Sequence, residues 1–352
     1  MSLTDHIVAR IRTEGPLSLA DYMADCLLHP RFGYYTTRDP FGAAGDFITA
    51  PEISQMFGEM LGLCLAQAWM DQGKPEAFAL AELGPGRGTL MADMLRATAG
   101  VPGFHEAAEV VLIEASQTLR EIQADRVTAL PPRWCDHAGD LPQAPLFLVA
   151  NEFFDALPIR QFQRDGDTWR ERRIGLNGED LVFGLGPRGP QPALAHRLGT
   201  TEAGDLVEFC PALPGITHEI GTRIARHGGA ALVVDYGGWL SLGDTVQALR
   251  DHAPVDPLHT PGDADLTAHV DFSEISRASP SAATQMTPQG VFLERLGITA
   301  RAQQLAAGLS GTALEAHVAA HRRLTHPEEM GNLFQVLGLY PARAKPPAGL
   351  DP

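Results

Sequence analysis

Apolar positions change their period as the chain proceeds. Over about residues 3 to 28, Ile7, Val8 and Ile11, then Leu19, Tyr22, Met23 and Leu27, recur at helical spacing, so two short helices broken at Gly15-Pro16 are predicted. An aromatic and glycine-rich loop, RFGYYTTRDPFGAAGDFITAPE, follows. Ile53, Met56, Phe57, Met60, Leu61 and Leu65 then mark a further helix, with Pro51 and Glu52 suited to its first turn. From residue 77 the helical period gives way to continuous apolar runs, AFALAELG, EVVLIEAS and PLFLVANEFF, separated by helical stretches at 89–97 and 117–128. Runs of this kind have no polar face and suit parallel strands covered on both sides by helices.

The alternation in QFQRDGDTWRERRIGLNGEDLVFGLG predicts antiparallel hairpins, one of them turning at Asn177-Gly178. A helix with Leu213, Ile216, Ile220 and Ile224 on one face, then the buried strand GGAALVVDYGG, resumes the α/β pattern. Residues 251–290, rich in Pro, Asp and Thr, are expected to form long surface loops ahead of a final helical region and the apolar run LFQVLGLY. The expected fold class is α/β. A Rossmann-like core spans 76–158 and 205–340, a helical extension with an active-site loop spans 1–75, and an inserted β-hairpin region spans 159–204.

Composition narrows the partners. Hydrophobic residues make up 44% of the 352 and charged residues 20%, enough for a conventional core. A formal net charge of -16 repels polyphosphate, so nucleic acid is not an expected partner, whereas small molecules and proteins are. Cys26, Cys64, Cys135 and Cys210 form no CxxC pair and signal neither a zinc ribbon nor a disulfide framework. Residues 1 to 14 lack the apolar core of a signal peptide, and no stretch approaches the roughly 20 apolar residues of a membrane span. On these grounds a cytoplasmic location is expected.

In AELGPGRGTL, Gly84, Gly86 and Gly88 fall directly after a strand and before a helix, where an open α/β sheet docks nucleotide-like ligands. A dinucleotide fingerprint would read GxGxxG/A, but the third small residue is displaced here, which disfavours pyrophosphate. Glu82 before the loop suits a ligand with a positive sulfonium and an amino-acid end, and S-adenosylmethionine has both. Glu114 closes the second apolar run, where a carboxylate accepts from ribose hydroxyls. Asp140, ahead of the next strand, is placed to contact the adenine amino group.

Asn151, Glu152 and Asp155 follow the strand LFLVA. Two carboxylates there suit a cationic acceptor such as a guanidinium, with Asn151 fixing the loop or accepting from the nucleophile; the alternative is that they cap the next segment. Asp46, Thr49 and Glu52 of the early loop fit either a substrate-facing lid or a helix-capping turn. His269 and Asp271, with His259, Asp263 and Asp265, match no standard metal spacing, which leaves a lid or a hydrogen-bonded structural loop. No metal is expected.

Taken in order, GDFITAPEISQMFGE, AELGPGRGTLMADMLR, VVLIEAS, ANEFFDALPIRQF, ALVVDYG and DADLTAHVDF closely resemble the MidA-like methyltransferase family, from about residue 15 to residue 340. That family includes the mitochondrial complex I assembly methyltransferase. The resemblance implies a class I methyltransferase core that uses S-adenosylmethionine, and a protein acceptor, for the mitochondrial member an arginine on a respiratory complex I subunit. It places Gly84, Gly86, Gly88 and Glu114 on the cofactor, Asn151 and Glu152 toward the acceptor, and Asp46 and Thr49 near the reaction centre. Two other readings compete: an assembly chaperone with a vestigial cofactor pocket, and a nicotinamide-dependent oxidoreductase.

Overall fold

A computed structural model describes residues 2–37, 49–250 and 253–352. They pack as two compact units, one built from 49–154, 214–239 and 272–352, the other from 2–37, 155–213, 240–250 and 253–271.

The first unit is a sheet flanked by helices. The continuous apolar runs become the strands Phe78–Leu83, Ala108–Ile113, Leu146–Asn151 and Gly229–Gly238, and the final run becomes Phe334–Tyr340. Read across, the strand order is Ala282–Ala283, Phe334–Tyr340, Gly229–Gly238, Leu146–Asn151, Phe78–Leu83, Ala108–Ile113 and Arg133–Cys135. The four principal runs pair in parallel, and Phe334–Tyr340 returns antiparallel against Gly229–Gly238. Successive strands grow one way from Phe78–Leu83 through Ala108–Ile113 to Arg133–Cys135, and the chain then crosses back to lay Leu146–Asn151 on the other side. That reversal is a topological switch point, and the carboxyl ends of Phe78–Leu83 and Leu146–Asn151 flank it, where open α/β sheets bind their ligands.

The helix Gln55–Asp71 belongs to this unit and not to an N-terminal extension, because Leu61, Leu65 and Trp69 share one core with Phe78, Leu80 and Phe147. It lies close on the helix Thr89–Thr98: a Cβ at Gly62 would stand 2.8 Å from Met94 Cα.

The second unit holds the two expected N-terminal helices, Leu3–Glu14 and Leu19–Leu28. Ser2 and Asp5 form a capping box on the first, Gly15 ends it, and Ser18 caps the second through the Asp21 N–H. Beside them, Thr168–Asn177 is paired by Arg160–Asp165 and Asp180–Gly189, with the turns at Gly166 and Gly178 in the left-handed region. Leu206–Phe209 extends this sheet past Arg160–Asp165. Residues 253–271 depart from the surface loops expected of them: Ala264, Asp265, Leu266, Ala268 and Asp271 are buried, and Asp265–Thr267 pairs with Gln247–Arg250. Their polar groups tolerate burial because each finds a bonding partner, such as the Tyr35 hydroxyl that donates to Asp265 Oδ1 at 2.7 Å.

Candidate active site

The glycine loop leaves the fully buried strand Phe78–Leu83 and enters the helix Thr89–Thr98. Gly84 has φ +59°, and a Cβ there would lie 2.9 Å from the Phe153 ring. Gly88, at φ +78°, is the N-cap of the helix, and its Cβ would lie 3.1 Å from Val127. Neither position accepts a side chain without strain, and the bare backbone is what lets a ligand approach the loop's N–H groups.

Two acids flank the loop. Glu82 is buried to 3% exposure, and its Oε2 has no hydrogen-bond partner among the described residues. Burial pushes its carboxyl up to about 8. Glu114 follows the adjacent strand, Ala108–Ile113, in register with Leu83 through Ile113. Its Oε1 accepts from the Ser116 N–H at 2.8 Å and its Oε2 from Gln123 Nε2 at 3.3 Å, and burial raises its pKa. The carboxylate still keeps a lone pair for a ligand. Asp140 sits apart, exposed, in the single turn Ala138–Asp140 after the edge strand Arg133–Cys135, where its Oδ2 accepts from the His137 N–H at 3.2 Å.

Across the switch point, Asn151 ends its strand and Glu152 turns the chain at φ +50°, a left-handed conformation uncommon for a glutamate. The Glu152 N–H donates to Val234 O at 3.0 Å, and its Oε1 accepts from Ala50 N at 3.2 Å and Asn151 Nδ2 at 3.1 Å. Ala50 opens the short helix Ala50–Ile53, for which Thr49 is the N-cap without a side-chain bond. Glu52, on the same helix, reaches the start of the helix after the glycine loop: its Oε1 accepts from the Thr89 hydroxyl at 2.5 Å, and that hydroxyl accepts from Arg126 Nη1. Asp46 lies outside the described residues.

Asp155, His269 and Asp271 belong to the other compact unit. There the Asp155 carbonyl accepts from the Ala268 N–H at 3.0 Å, and the His269 N–H donates to Thr245 Oγ1 at 2.8 Å, with burial lowering the imidazole pKa. Asp271 accepts from Arg197 Nη1 and from the Leu240 N–H, both at 3.1 Å. The structure therefore gives His269 and Asp271 bonds inside a packed unit.

Two residues escaped the sequence reading. Asp235, fully buried, accepts from the Phe154 N–H and the Tyr236 N–H, each at 3.0 Å, and so fixes the turn that carries Glu152. An acid inside the apolar run GGAALVVDYGG was the available signal. Gln123, also fully buried, left no such signal on its polar helix.

A Rossmann-like sheet whose switch point carries a glycine loop, an orphaned buried carboxylate oxygen and a strand-end acid defines a class of enzyme that binds a nucleoside ligand with a positive charge. S-adenosylmethionine fits on each count: sulfonium and amino group against Glu82, ribose hydroxyls against Glu114, and a close backbone at Gly84. Residues 60–291 match the family described as S-adenosyl-L-methionine-dependent methyltransferase. The human protein arginine methyltransferase NDUFAF7, mitochondrial, is 37% identical, with 96% of this chain and 82% of that protein aligned. Its Danio rerio counterpart is 36% identical, with 95% and 86% aligned. A Burkholderia thailandensis protein described as a methyl transferase, solved bound to S-adenosyl-homocysteine, is 28% identical, with a TM-score of 0.82 over 99% of this chain and 92% of that one.

The chain belongs to the MidA-like family of S-adenosylmethionine-dependent methyltransferases. It is an enzyme of that class, and S-adenosylmethionine is its cofactor. One expectation is corrected: these relatives are named as mitochondrial proteins, which conflicts with the cytoplasmic location inferred from composition. That inference rested on residues 1 to 14 lacking a signal-peptide core and on the lack of a membrane span, neither of which fixes a compartment. No helix among the described residues is long and apolar enough to cross a membrane.

Proposed function

We propose that this methyltransferase modifies a protein, on the guanidinium of an arginine. The observation that carries this is Glu152, a carboxylate held beside the switch point by Ala50 and Asn151 at a strained backbone position. The names of the 36–37% identical relatives support the same acceptor. A subunit of respiratory complex I is the acceptor protein that the family resemblance favours.

In this reading Gly84, Gly86, Gly88, Glu82 and Glu114 hold the cofactor, with Asp140 at the adenine side. Once bound, S-adenosylmethionine supplies an electrophilic methyl carbon on sulfur. Glu152 binds the guanidinium and turns one nitrogen lone pair toward that carbon, and Asn151 fixes the carboxylate. With the cofactor bound, the Glu152 carboxylate would take the proton that the guanidinium nitrogen sheds on methylation. Thr49 borders the acceptor, and Glu52 braces the helix that follows the glycine loop.

The test is transfer of a labelled methyl group to proteins of a lysate, followed by hydrolysis and amino-acid analysis. Label in methylarginine with wild type and its loss in Glu152→Gln is the expected result. Label confined to another amino acid would overturn the arginine assignment.

A further inference from the structure

The buried side chain of Gln123 makes three hydrogen bonds at once. Its Nε2 donates to the Gly86 carbonyl at 2.8 Å and to Glu114 Oε2 at 3.3 Å, and its Oε1 accepts from Trp134 Nε1 at 2.8 Å. These partners come from three places: the glycine loop, the end of the strand Ala108–Ile113, and the edge strand Arg133–Cys135. Gln123 has no exposed surface, and it closes under the loop so tightly that a Cβ at Gly88 would stand 3.4 Å from its Cγ. Such a residue has every donor and acceptor in use except one lone pair.

We infer that Gln123 is a positioning residue for the cofactor, setting the spacing between the glycine loop and the ribose-binding carboxylate of Glu114. The inference rests on the cofactor assignment above and extends it to a residue that need not touch the ligand. A carboxylate on a strand end rotates about its last torsion. With Ser116 N–H on one oxygen and Gln123 on the other, the plane of Glu114 is fixed and its remaining lone pairs are aimed before ligand arrives. The same amide pins the Gly86 carbonyl, so loop and acid move as one piece. Because Gln123 acts at the ribose side and not at sulfur, its removal weakens every ligand that carries the adenosine half by the same factor.

The test is calorimetric titration of the full chain with S-adenosylmethionine, S-adenosyl-homocysteine and 5′-methylthioadenosine. Wild type is compared with Gln123→Met, which keeps the shape without the amide, with Glu114→Gln, and with the double variant. Expected are losses of roughly tenfold to a hundredfold for Gln123→Met, equal for all three ligands, with a double variant weaker than wild type by less than the product of the two single losses. Circular dichroism and Tm show whether Gln123→Met is folded at the titration temperature. If it does not fold, Gln123→Glu, which keeps the acceptor for Trp134 but loses the donor while ionised, is expected to show the same equal losses. Unchanged affinities, a loss confined to ligands with the methionine end, or strictly multiplicative losses with Glu114→Gln would each overturn the inference. Wild type that binds none of the three ligands would instead overturn the cofactor assignment, and this inference with it.

Discussion

The Ala50 N–H donates to Glu152 Oε1 at 3.2 Å, and this bond joins the first residue of the helix Ala50–Ile53 to the residue that turns the chain out of Leu146–Asn151. Two residues further along the same helix, Glu52 accepts from Thr89 at the start of the helix that follows the glycine loop. One four-residue helix thus holds Glu152 by one end and the start of the helix after the glycine loop by the other. Thr89→Val is expected to weaken S-adenosyl-homocysteine binding several-fold and to lower kcat as well, because the brace on the loop and the placement of Glu152 share a helix. A change in binding with kcat untouched would separate the two ends.

Glu152 occupies φ +50°, where glycine rests more easily than any branched or long side chain. Glu152→Gly is expected to be more stable than Glu152→Ala by about 1 kcal/mol in denaturant unfolding, with both inactive in methyl transfer. Equal stabilities would show that the turn is not strained.

Glu82 titrates in a buried site, which pushes its carboxyl up to about 8 from an ordinary value of 4.5. Folding therefore takes up a proton between these limits: the folded state keeps the neutral acid while the unfolded chain ionises. The contribution to stability is intact below about pH 4.5, declines as pH rises, and is lost above about 8. Glu82→Gln removes this term, so its Tm advantage over wild type without ligand is expected to widen from pH 5 to pH 8, while its affinity for S-adenosylmethionine falls. Thermal melts at several pH values check the sign; a gap that narrows over that range would contradict it.

Much of the fold was legible because its central strands are continuous apolar runs, and burial on both faces leaves few alternatives for such a run. The strand Arg133–Cys135 was not, since three residues with one fully buried side chain carry no period. Residues 253–271 misled for a different reason: Pro and Asp suggest loops, but Asp265 and Asp271 are buried against Tyr35 and Arg197, partners remote in sequence. That the glycine loop, Glu114 and Glu152 stand at strand ends could be read from position alone. Gln123 and Asp235 could not, because their importance lies in bonds to backbone groups that only the folded chain brings near.

Arg197 and Asp271 form a buried ion pair in the second unit, with side-chain exposures of 2% and 9%. Arg197 also donates to the Leu240 and Ser241 carbonyls. Arg197→Met is expected to cost about 3 kcal/mol or more, since it leaves Asp271 without its buried cation. Urea unfolding measures this, and a cost under about 1 kcal/mol would show that the pair contributes little.

Gly229 starts the central strand at φ +111°, where a Cβ would lie 1.9 Å from the Leu146 carbonyl oxygen. Gly229→Ala is expected to lose at least about 3 kcal/mol, or fail to accumulate as folded protein, because both the backbone and the neighbouring strand must shift. A variant as stable as wild type would mean that the two strand starts are less closely packed.

The loop Gly84–Gly88 with Glu114 is the proposed S-adenosylmethionine site. Calorimetric titration of wild type, Gly84→Val and Glu114→Ala with S-adenosyl-homocysteine tests it most directly. One ligand per chain is expected for wild type, with at least tenfold weaker binding for each folded variant. Wild-type affinity in both variants would place the cofactor elsewhere and contradict the account.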